Sequence, residues 1–203
     1  MIARRIGDGD RVGIGVNSPI PAAAALLARR LHAPHARLRL TGSPEGERFL
    51  GSKEFFDMAQ RGKIDLFFFS GIQVDRMGRI NLHVLGDHER PRRRFAGAFG
   101  SAVLYQVIPR VILFRTEHSP RALVEQVDFV SAVGRPELLV TPRAVLAPGA
   151  DGELELVSYS PWESIQSVRA ATGWDLRIRP DVRATEPPTE HELEVLRALP
   201  VAG

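Results

Sequence analysis

The chain has 203 residues, of which 44% are apolar, so it is long enough to bury a core, and we expect one domain over residues 1–203. Lys and Arg total 27 against 24 acidic residues, and a formal net charge of +3 does not predict a nucleic-acid partner. The absence of cysteine excludes disulfides, a cysteine nucleophile and thiolate metal sites. No apolar run is long enough for a signal peptide or a membrane span, so we expect a cytoplasmic protein without a membrane partner.

Strands and helices alternate in the first third of the sequence. Ser18 followed by Pro19 is typical of a helix start, because Ser is a common N-cap residue and Pro suits the first helical position. Apolar runs and polar–apolar alternation predict the strands. The predicted elements are strands at Val12–Val16 and Arg37–Thr41, and helices from Ile20 to about His32 and from Ser52 to Gly62.

Two continuous apolar runs mark the middle of the chain. Leu66–Phe69 and Val111–Phe114 have the composition of strands that are buried on both faces of a parallel sheet. A short helix is predicted at Ser101–Val107, and another begins at Ser119 and carries Val127 on its apolar side. Strands that alternate with helices favour an α/β fold, with an open, mainly parallel sheet flanked by helices.

The pattern changes after Asp128-Phe129-Val130. Short strands at Leu138–Thr141, Ala144–Ala147 and Glu153–Tyr159, with a hairpin turn at Asp151-Gly152, predict a small antiparallel appendage. Further on, the sequence predicts a helix capped by Ser160 and ending near Gly173, a strand at Asp175–Arg179, and a last helix capped by Thr189.

Two segments between the apolar runs carry the polar signals. In the stretch Gln73–Asn81, Gln73, Asp75 and Asn81 are expected to fix a β-turn through side-chain to backbone hydrogen bonds. The following loop contains Gly97 and Gly100, which either form a tight turn or present backbone N–H groups to a negatively charged ligand. Spacing alone does not separate these two readings.

Other polar groups give weaker signals. None of the six histidines has helical metal-binding spacing with a third ligand nearby, so no metal site is predicted. Gly13 and Gly15 lack the third glycine and the acidic partner of a dinucleotide-binding loop.

Taken together, these residues resemble the beta subunit of the heteromeric class I CoA-transferases, of the glutaconate CoA-transferase type. The most specific element is the Gln-Val-Asp-x-x-Gly-x-x-Asn turn combined with the glycine loop, and the resemblance covers nearly the whole chain. The matching residues are Gly15, Pro19, Pro21, Ala33-Pro34, Gln73–Asn81, Pro91, Arg94-Phe95, Gly97, Gly100, Asp128-Phe129-Val130 and Gly134.

The resemblance implies an open α/β fold and an obligate alpha subunit of the same family, in a heterodimer or a heterotetramer. It also implies an active site at the interface between the two subunits, a CoA thioester as substrate and no permanently bound cofactor. In true transferases a glutamate of the beta subunit attacks the acyl-CoA carbonyl, forms a mixed anhydride and then becomes a glutamyl-CoA thioester, which divides one hard exchange into easier steps.

This chain departs from the family at that glutamate. Seven residues past Ala33-Pro34, where the family has its nucleophile, stands Thr41, and a threonine cannot form the anhydride. Glu45 and Glu47 follow closely and are fallback nucleophiles, although the segment before Ser52 is shorter than in the transferases. Two branches of the family have also given up the glutamate: a decarboxylase of branched glutaconyl-CoA thioesters and a hydrolase that opens steroid-derived rings. In the hydrolase branch, the resemblance implies, the chief catalytic carboxylate belongs to the alpha subunit.

Three hypotheses follow for the function. The first is a beta subunit that supports hydrolytic C–C cleavage or decarboxylation of a CoA thioester, the second is a genuine CoA-transferase that uses Glu45 or Glu47, and the third is a non-catalytic subunit that completes the partner's active site. By resemblance, Gly97 and Gly100 form an oxyanion loop, and the expected substrate-binding residues are Gln73, Arg94 and Ser101.

Two points about this branch stay open in the sequence. The cluster of Arg90 and Arg92–Arg94 either pairs with CoA phosphates or forms a basic loop that faces solvent or the other subunit. Family members carry a longer helix before the segment that matches Ile6–Asp10, so the start is either trimmed or this branch is minimal.

Overall fold

A computed structural model describes residues 1–16, 18–40 and 51–199. The strands are β1 (Arg11–Ile14), β2 (Arg37–Leu40), β3 (Leu66–Phe69), β4 (Gln73–Asp75), β5 (Ile80–Asn81), β6 (Val84–Leu85), β7 (Arg93–Arg94), β8 (Arg110–Phe114), β9 (Leu123–Val124), β10 (Leu138–Val140), β11 (Ala144–Pro148), β12 (Leu154–Tyr159) and β13 (Arg177–Ala184). The α-helices are α1 (Pro19–Leu31), α2 (Ser52–Gln60), α3 (Ser101–Val107), α4 (Ile165–Ala170) and α5 (Glu190–Arg197), and a 3-10 helix spans Ala3–Arg5.

The described residues fall into two compact units. One contains residues 1–68, 107–110 and the chain from 186 onward, and the other contains residues 69–106 and 111–185. That the chain works as a single domain stays a prediction.

The first unit is built on parallel strands. β1 pairs in parallel with both β2 and β3, and Val12 lies opposite Leu38 on one side and Leu66 on the other. All three of these side chains are at most 1% exposed, because a strand flanked on both sides and covered on both faces has no route to solvent. The expected buried strand at Leu66–Phe69 is therefore confirmed.

An ion pair connects the two ends of the chain within this unit. The Arg4 guanidinium donates to both carboxylate oxygens of Glu192 on α5, at 2.9 and 2.6 Å. The hydrogen bonds from Arg4 lower the pKa of Glu192 to about 2. Thr189 caps α5 as the sequence predicts: its side chain accepts from the Glu192 amide, and the Glu192 carboxylate accepts from the Thr189 amide.

The second unit combines parallel and antiparallel pairing. β8 pairs in parallel with β10, β10 and β11 pair antiparallel, β11 and β12 pair antiparallel, and β13 is parallel to β12. The antiparallel strands expected in the C-terminal half are thus present, and they continue from a parallel pair. β13 is longer than predicted, since it extends to Ala184.

The prediction of a helix that begins at Ser119 is wrong. The chain makes one helical turn, in which the amides of Ala122 and Leu123 donate to Ser119 O, and it then becomes strand β9. Lateral hydrogen bonds take over the backbone there, because Ala122 O accepts from Val74 N and Leu123 O accepts from Gly173 N. Pairing with β4 and with Gly173 satisfies these groups and overrides the local helix signal.

The expected helix caps are only partly confirmed. α4 begins at Ile165, and its N-cap is Ser164, whose side chain accepts from Ser167 N; Ser160, the predicted cap, accepts from Glu163 N in a preceding turn instead. The Ser18 side chain makes no capping hydrogen bond to α1.

No helix in the described ranges combines the length and the apolar content that crossing a bilayer requires.

A substitution at Gly173 tests how closely the backbone packs against β9. A Cβ at this position would lie far inside the contact distance of Leu123 O and 3.1 Å from Val124 Cα, both backbone atoms that cannot rotate away. We therefore expect Gly173→Ala to lower the free energy of unfolding by about 1–3 kcal/mol, as overpacked sites do. Urea unfolding measures the change. Gly7→Ala is the matched control, because its new Cβ meets only the Asp10 carboxylate at ordinary contact distance; equal stability of the two variants would contradict the close approach.

Candidate functional site

The Gln73–Asn81 segment folds as a hairpin, with β4 and β5 joined by a turn in which Gly78 has φ +72°. Asn81 donates from Nδ2 to Gln73 Oε1 at 2.8 Å and to Val84 O at 2.6 Å. Gln73 Oε1 also accepts from Asp128 N at 3.0 Å. Both amide side chains are buried, so they connect the hairpin to β6 and to the loop that begins at Asp128. The expected turn-fixing role is present, and the Gln73 oxygen is occupied by structural bonds.

Asp75 is a fully buried carboxylate at the centre of this hairpin. Its Oδ1 accepts from Met77 N at 3.0 Å and from Arg79 N at 3.1 Å, and its Oδ2 accepts from Arg79 Nε at 2.7 Å. A buried charge is tolerated only when it is paired and hydrogen-bonded in this way. The geometry of the turn therefore depends on a single side chain.

Asp128 and the residues that follow it form a second polar cluster, which the sequence did not reveal. Ser131 Oγ lies 2.6 Å from His83 Nδ1 and accepts from Leu82 N at 2.8 Å. The Phe129 ring meets His83 edge-on at 5.2 Å and stacks on His88 at 4.8 Å. His83 and Ser131 are 48 residues apart, and no spacing rule relates side chains at that distance, so only the tertiary structure brings this pair together.

The glycine loop connects β7 to α3. Ser101 N donates to Ala98 O at 2.7 Å, and the two residues inside this turn, Phe99 and Gly100, have φ values of +28° and +63°. Within the described part of the chain, the amides of Gly97 and Gly100 donate no hydrogen bond. Ser101 is 2% exposed, and its Oγ has no hydrogen-bond partner among the residues that the structure describes. The loop therefore carries unused donors that could stabilise a developing oxyanion.

The basic residues before this loop are exposed and only loosely held. Arg94 Nη2 donates to His88 O at 2.9 Å, the Arg93 guanidinium lies 4.9 Å from the centre of the Phe95 ring, and Arg92 lies 3.8 Å from an Asp128 carboxylate oxygen. The β6–β7 hairpin itself is closed by its backbone pairing, in which Val84 lies opposite Arg94 and Leu85 opposite Arg93.

The position of the family nucleophile and its two fallbacks, Thr41, Glu45 and Glu47, lie outside the described residues. β2 ends at Leu40, so Thr41 is the next residue in the sequence after that strand.

No protein-family model matches the sequence. Over 97% of its length, the chain is 30% identical to the beta subunit of the 3-oxoadipate CoA-transferase of Pseudomonas knackmussii, and it covers 89% of that protein. The chain belongs to the family of CoA-transferase beta subunits.

Two further relatives extend this similarity. The chain is 29% identical to the cholesterol ring-cleaving hydrolase IpdB subunit of Mycobacterium tuberculosis, over 63% of this chain and 56% of that protein. The crystal structure of the decarboxylase AibA/AibB matches with a TM-score of 0.87 and 29% identity, over 98% of this chain and 90% of that chain. The family resemblance and the mainly parallel sheet with flanking helices are thereby confirmed.

This CoA-transferase-family chain also contains a buried histidine at the carboxyl ends of β8 and β10. His118 is 7% exposed, with Nδ1 2.8 Å from Thr141 Oγ1 and Nε2 3.0 Å from Thr172 Oγ1. Burial lowers its pKa to about 4, so the imidazole is neutral at pH 7. No cluster of three or more His, Asp or Glu residues able to hold a metal occurs in the described ranges.

Replacing Asp75 tests the hairpin. In Asp75→Asn the new Nδ2 would face Arg79 Nε, so a donor meets a donor and the part-buried guanidinium loses its counter-charge. Because the Arg79 side chain keeps 31% of its surface exposed, we expect the free energy of unfolding to fall by about 1–3 kcal/mol, measured by urea denaturation. Asp87→Asn is the control, because Asp87 is exposed and its Oδ1, which accepts from Glu89 N and Arg90 N, is kept by asparagine. Similar losses in both variants would contradict a special role for Asp75.

His118 predicts a pH dependence of stability. Its folded pKa of about 4 lies below the ordinary value of 6.5, so the unfolded chain binds the proton more tightly. The contribution of neutral His118 to the free energy of unfolding is therefore complete above pH 6.5. It is lost as the pH falls towards 4, and the total loss is about 3 kcal/mol. In His118→Gln this contribution to the pH profile disappears, which urea unfolding at several pH values measures. A difference between wild type and variant that is constant from pH 7 to 4 would contradict the prediction.

Proposed function

We propose that this chain is the beta subunit of a heteromeric cytoplasmic enzyme that acts on a CoA thioester together with an alpha subunit of the same family. The assembly is a heterodimer or a heterotetramer, CoA enters as part of the substrate, and no cofactor is bound permanently. We further propose that the reaction is hydrolytic C–C cleavage or decarboxylation rather than CoA transfer. Support for the assembly comes from its relatives, which include a decarboxylase with two differently named subunits.

The observation that carries the proposed reaction is the threonine at position 41. Open α/β sheets bind ligands outside the carboxyl ends of their strands, and Thr41 directly follows β2, where the family resemblance places the glutamate. CoA transfer requires a carboxylate that forms an anhydride and then a thioester, whereas a hydroxyl attacking the same carbonyl would give an ester. Loss of the carboxylate leaves acyl-CoA binding possible and removes the step that is specific to transfer.

Hydrolytic cleavage and decarboxylation both require the remaining residues to stabilise a negative charge on the thioester. When water adds to a ketone two carbons from the thioester carbon, the C–C bond breaks and its electron pair moves into a thioester enolate. When carbon dioxide leaves, the pair of the breaking C–C bond moves to the same place. Both reactions put negative charge on the thioester oxygen, and we assign its stabilisation to the amides of Gly97 and Gly100. A single such donor is worth about 3–4 kcal/mol in other enzymes.

The other assigned residues bind substrate. Ser101 has a buried hydroxyl that finds no hydrogen-bond partner in the described part of the chain and lies beside the proposed oxyanion loop, and Arg94 is an exposed guanidinium on β7. Gln73 is assigned to substrate binding by resemblance, and its Oε1 is already used by Asn81 and Asp128, so only its amide nitrogen remains for a ligand. The chief catalytic acid or base is assigned to the alpha subunit.

A second candidate, CoA transfer, is favoured by one observation. The relative that matches over 97% of this chain is the beta subunit of a 3-oxoadipate CoA-transferase. In this case Glu45 or Glu47 would serve as the nucleophile. A purely structural subunit is the third candidate, and it should tolerate substitution of Thr41, Gly97 and Gly100 wherever folding is intact.

Product analysis separates these candidates. The chain is co-purified with its alpha subunit, and a panel of dicarboxylyl-CoA and ring-bearing CoA thioesters is offered with isotopically labelled acetate. We expect a product that is lighter by carbon dioxide or heavier by water, and no labelled acetyl-CoA, because no carboxylate stands at position 41. Mass spectrometry of the CoA esters measures both results.

The control is the double variant Glu45→Gln, Glu47→Gln. It should leave the expected reaction unchanged. Labelled acetyl-CoA from wild type that is lost in the double variant would overturn the proposed reaction and establish CoA transfer.

A further inference from the structure

A serine hydroxyl and a histidine ring meet where the segment after β5 contacts the segment after Asp128. Ser131 Oγ lies 2.6 Å from His83 Nδ1, a separation typical of a nucleophile and its general base. Ser131 Oγ also accepts from Leu82 N at 2.8 Å, and this bond occupies one of its lone pairs. Among the residues that the structure describes, Nδ1 is the one acceptor within reach of the hydroxyl, so we assign the hydroxyl proton to this bond.

The other ring nitrogen of His83 is available to carry the imidazole proton. In the described part of the chain, Nε2 makes no hydrogen bond. A neutral imidazole has one N–H, so with Nδ1 as the acceptor the proton is on Nε2. In this tautomer the histidine can take up the proton of the serine hydroxyl. Both residues are part-exposed, so the hydroxyl is not enclosed in the core.

The pair is held in place by its backbone and by one ring contact. His83 N donates to Oδ1 of the buried Asn81 at 3.0 Å, and Ser131 N donates to Ile80 O at 2.9 Å. The Phe129 ring meets the His83 ring edge-on, with 5.2 Å between the ring centres. Catalytic side chains must stay within about 0.5 Å of their working positions, and strand β5 supplies that constraint to both residues.

The loop with unused amides begins beside this pair. Phe95 N donates to His83 O at 2.7 Å, and Gly97 follows two residues later. Attack of a nucleophile on a carbonyl puts negative charge on the carbonyl oxygen, and backbone N–H groups commonly stabilise it. The nucleophile, its base and candidate oxyanion donors therefore belong to one region of the second unit.

We propose that Ser131 and His83 form a nucleophile–base pair that accepts an acyl group from a thioester and transfers it to water. Ser131 Oγ forms a bond to the carbonyl carbon while His83 Nδ1 takes the hydroxyl proton. The C–S bond then breaks, and His83 gives this proton to the departing sulfur. Water next attacks the acyl-serine ester and gives a proton to His83, which returns it to Oγ as the carboxylic acid leaves.

The products separate this activity from the proposed C–C chemistry. Decarboxylation and hydrolytic C–C cleavage leave CoA esterified to a fragment of the substrate, whereas deacylation through Ser131 releases free CoA. That the thioester is one of CoA rests on the proposed function, but the reactivity of the pair towards other acylating reagents does not.

The first test treats the chain, co-purified with its alpha subunit, with a fluorophosphonate, which bonds to an activated serine oxygen as fluoride leaves. Peptide mass spectrometry should locate the adduct on Ser131. Ser131→Ala should abolish it, and His83→Gln should slow labelling about 100-fold, because glutamine can keep a hydrogen bond to Ser131 but cannot take up its proton. Far-UV circular dichroism establishes that each variant is folded.

The matched control for labelling is Ser119→Ala. Ser119 is a part-exposed serine whose Oγ donates to Glu117 Oε1 rather than to an imidazole, and its loss should leave the labelling rate unchanged. An unlabelled Ser131 in wild type would overturn the proposal whatever the variants do. Equal labelling rates in wild type and His83→Gln would also overturn it, since the histidine would then have only a structural role.

The second test offers the panel of CoA thioesters to the same complex and measures free CoA by mass spectrometry. We expect free CoA from wild type and a loss of about 100-fold in Ser131→Ala. Fragments still esterified to CoA, with no free CoA, would overturn this proposal and leave the proposed C–C reaction intact. Free CoA that depends on Ser131, with no such fragments, would overturn the proposed C–C reaction and leave the pair established.

Discussion

The buried carboxylate of Asp75 is the constraint on which the polar half of the second unit depends. It holds the turn between β4 and β5 by accepting from Met77, from the Arg79 backbone and from the Arg79 side chain. Because β4 also pairs with β9, the same short strand determines where two later parts of the chain lie. A neutral side chain at position 75 would leave the part-buried Arg79 guanidinium without its counter-charge. The turn motif that identifies the family is therefore chiefly a structural device.

Two buried amide side chains connect this turn to neighbouring segments of the second unit. Gln73 and Asn81 connect the hairpin to β6 and to Asp128, and the Asp128 carboxylate accepts from Gly86 N at 2.6 Å. The hydrogen bond from Phe95 N to His83 O then fixes the start of the glycine loop. A loop attached in this way can hold strained and unpaired groups, because the surrounding structure supplies the stability that the loop lacks.

The distribution of charge also differs between the hydrogen-bonded hairpins and the glycine loop. The β4–β5 hairpin pairs a buried carboxylate with a part-buried guanidinium, the β6–β7 hairpin exposes its arginines, and the segment from the glycine loop through α3 carries no charge. An uncharged exposed segment is costly in water and useful at a contact between proteins.

The sequence by itself determined the elements whose signal is local. The apolar run at Leu66–Phe69, the Thr189 cap of α5 and the family turn were all readable, because burial on both faces, a capping box and a turn motif are each written in a few adjacent residues. The sequence also determined that Thr41 replaces the family's glutamate. Only the tertiary structure decided that the segment after Ser119 is a strand, since its backbone groups are satisfied by partners from β4 and from Gly173. The pairing of His83 with Ser131 was likewise decided there, because contacts between residues distant in sequence leave no periodic signal in the chain.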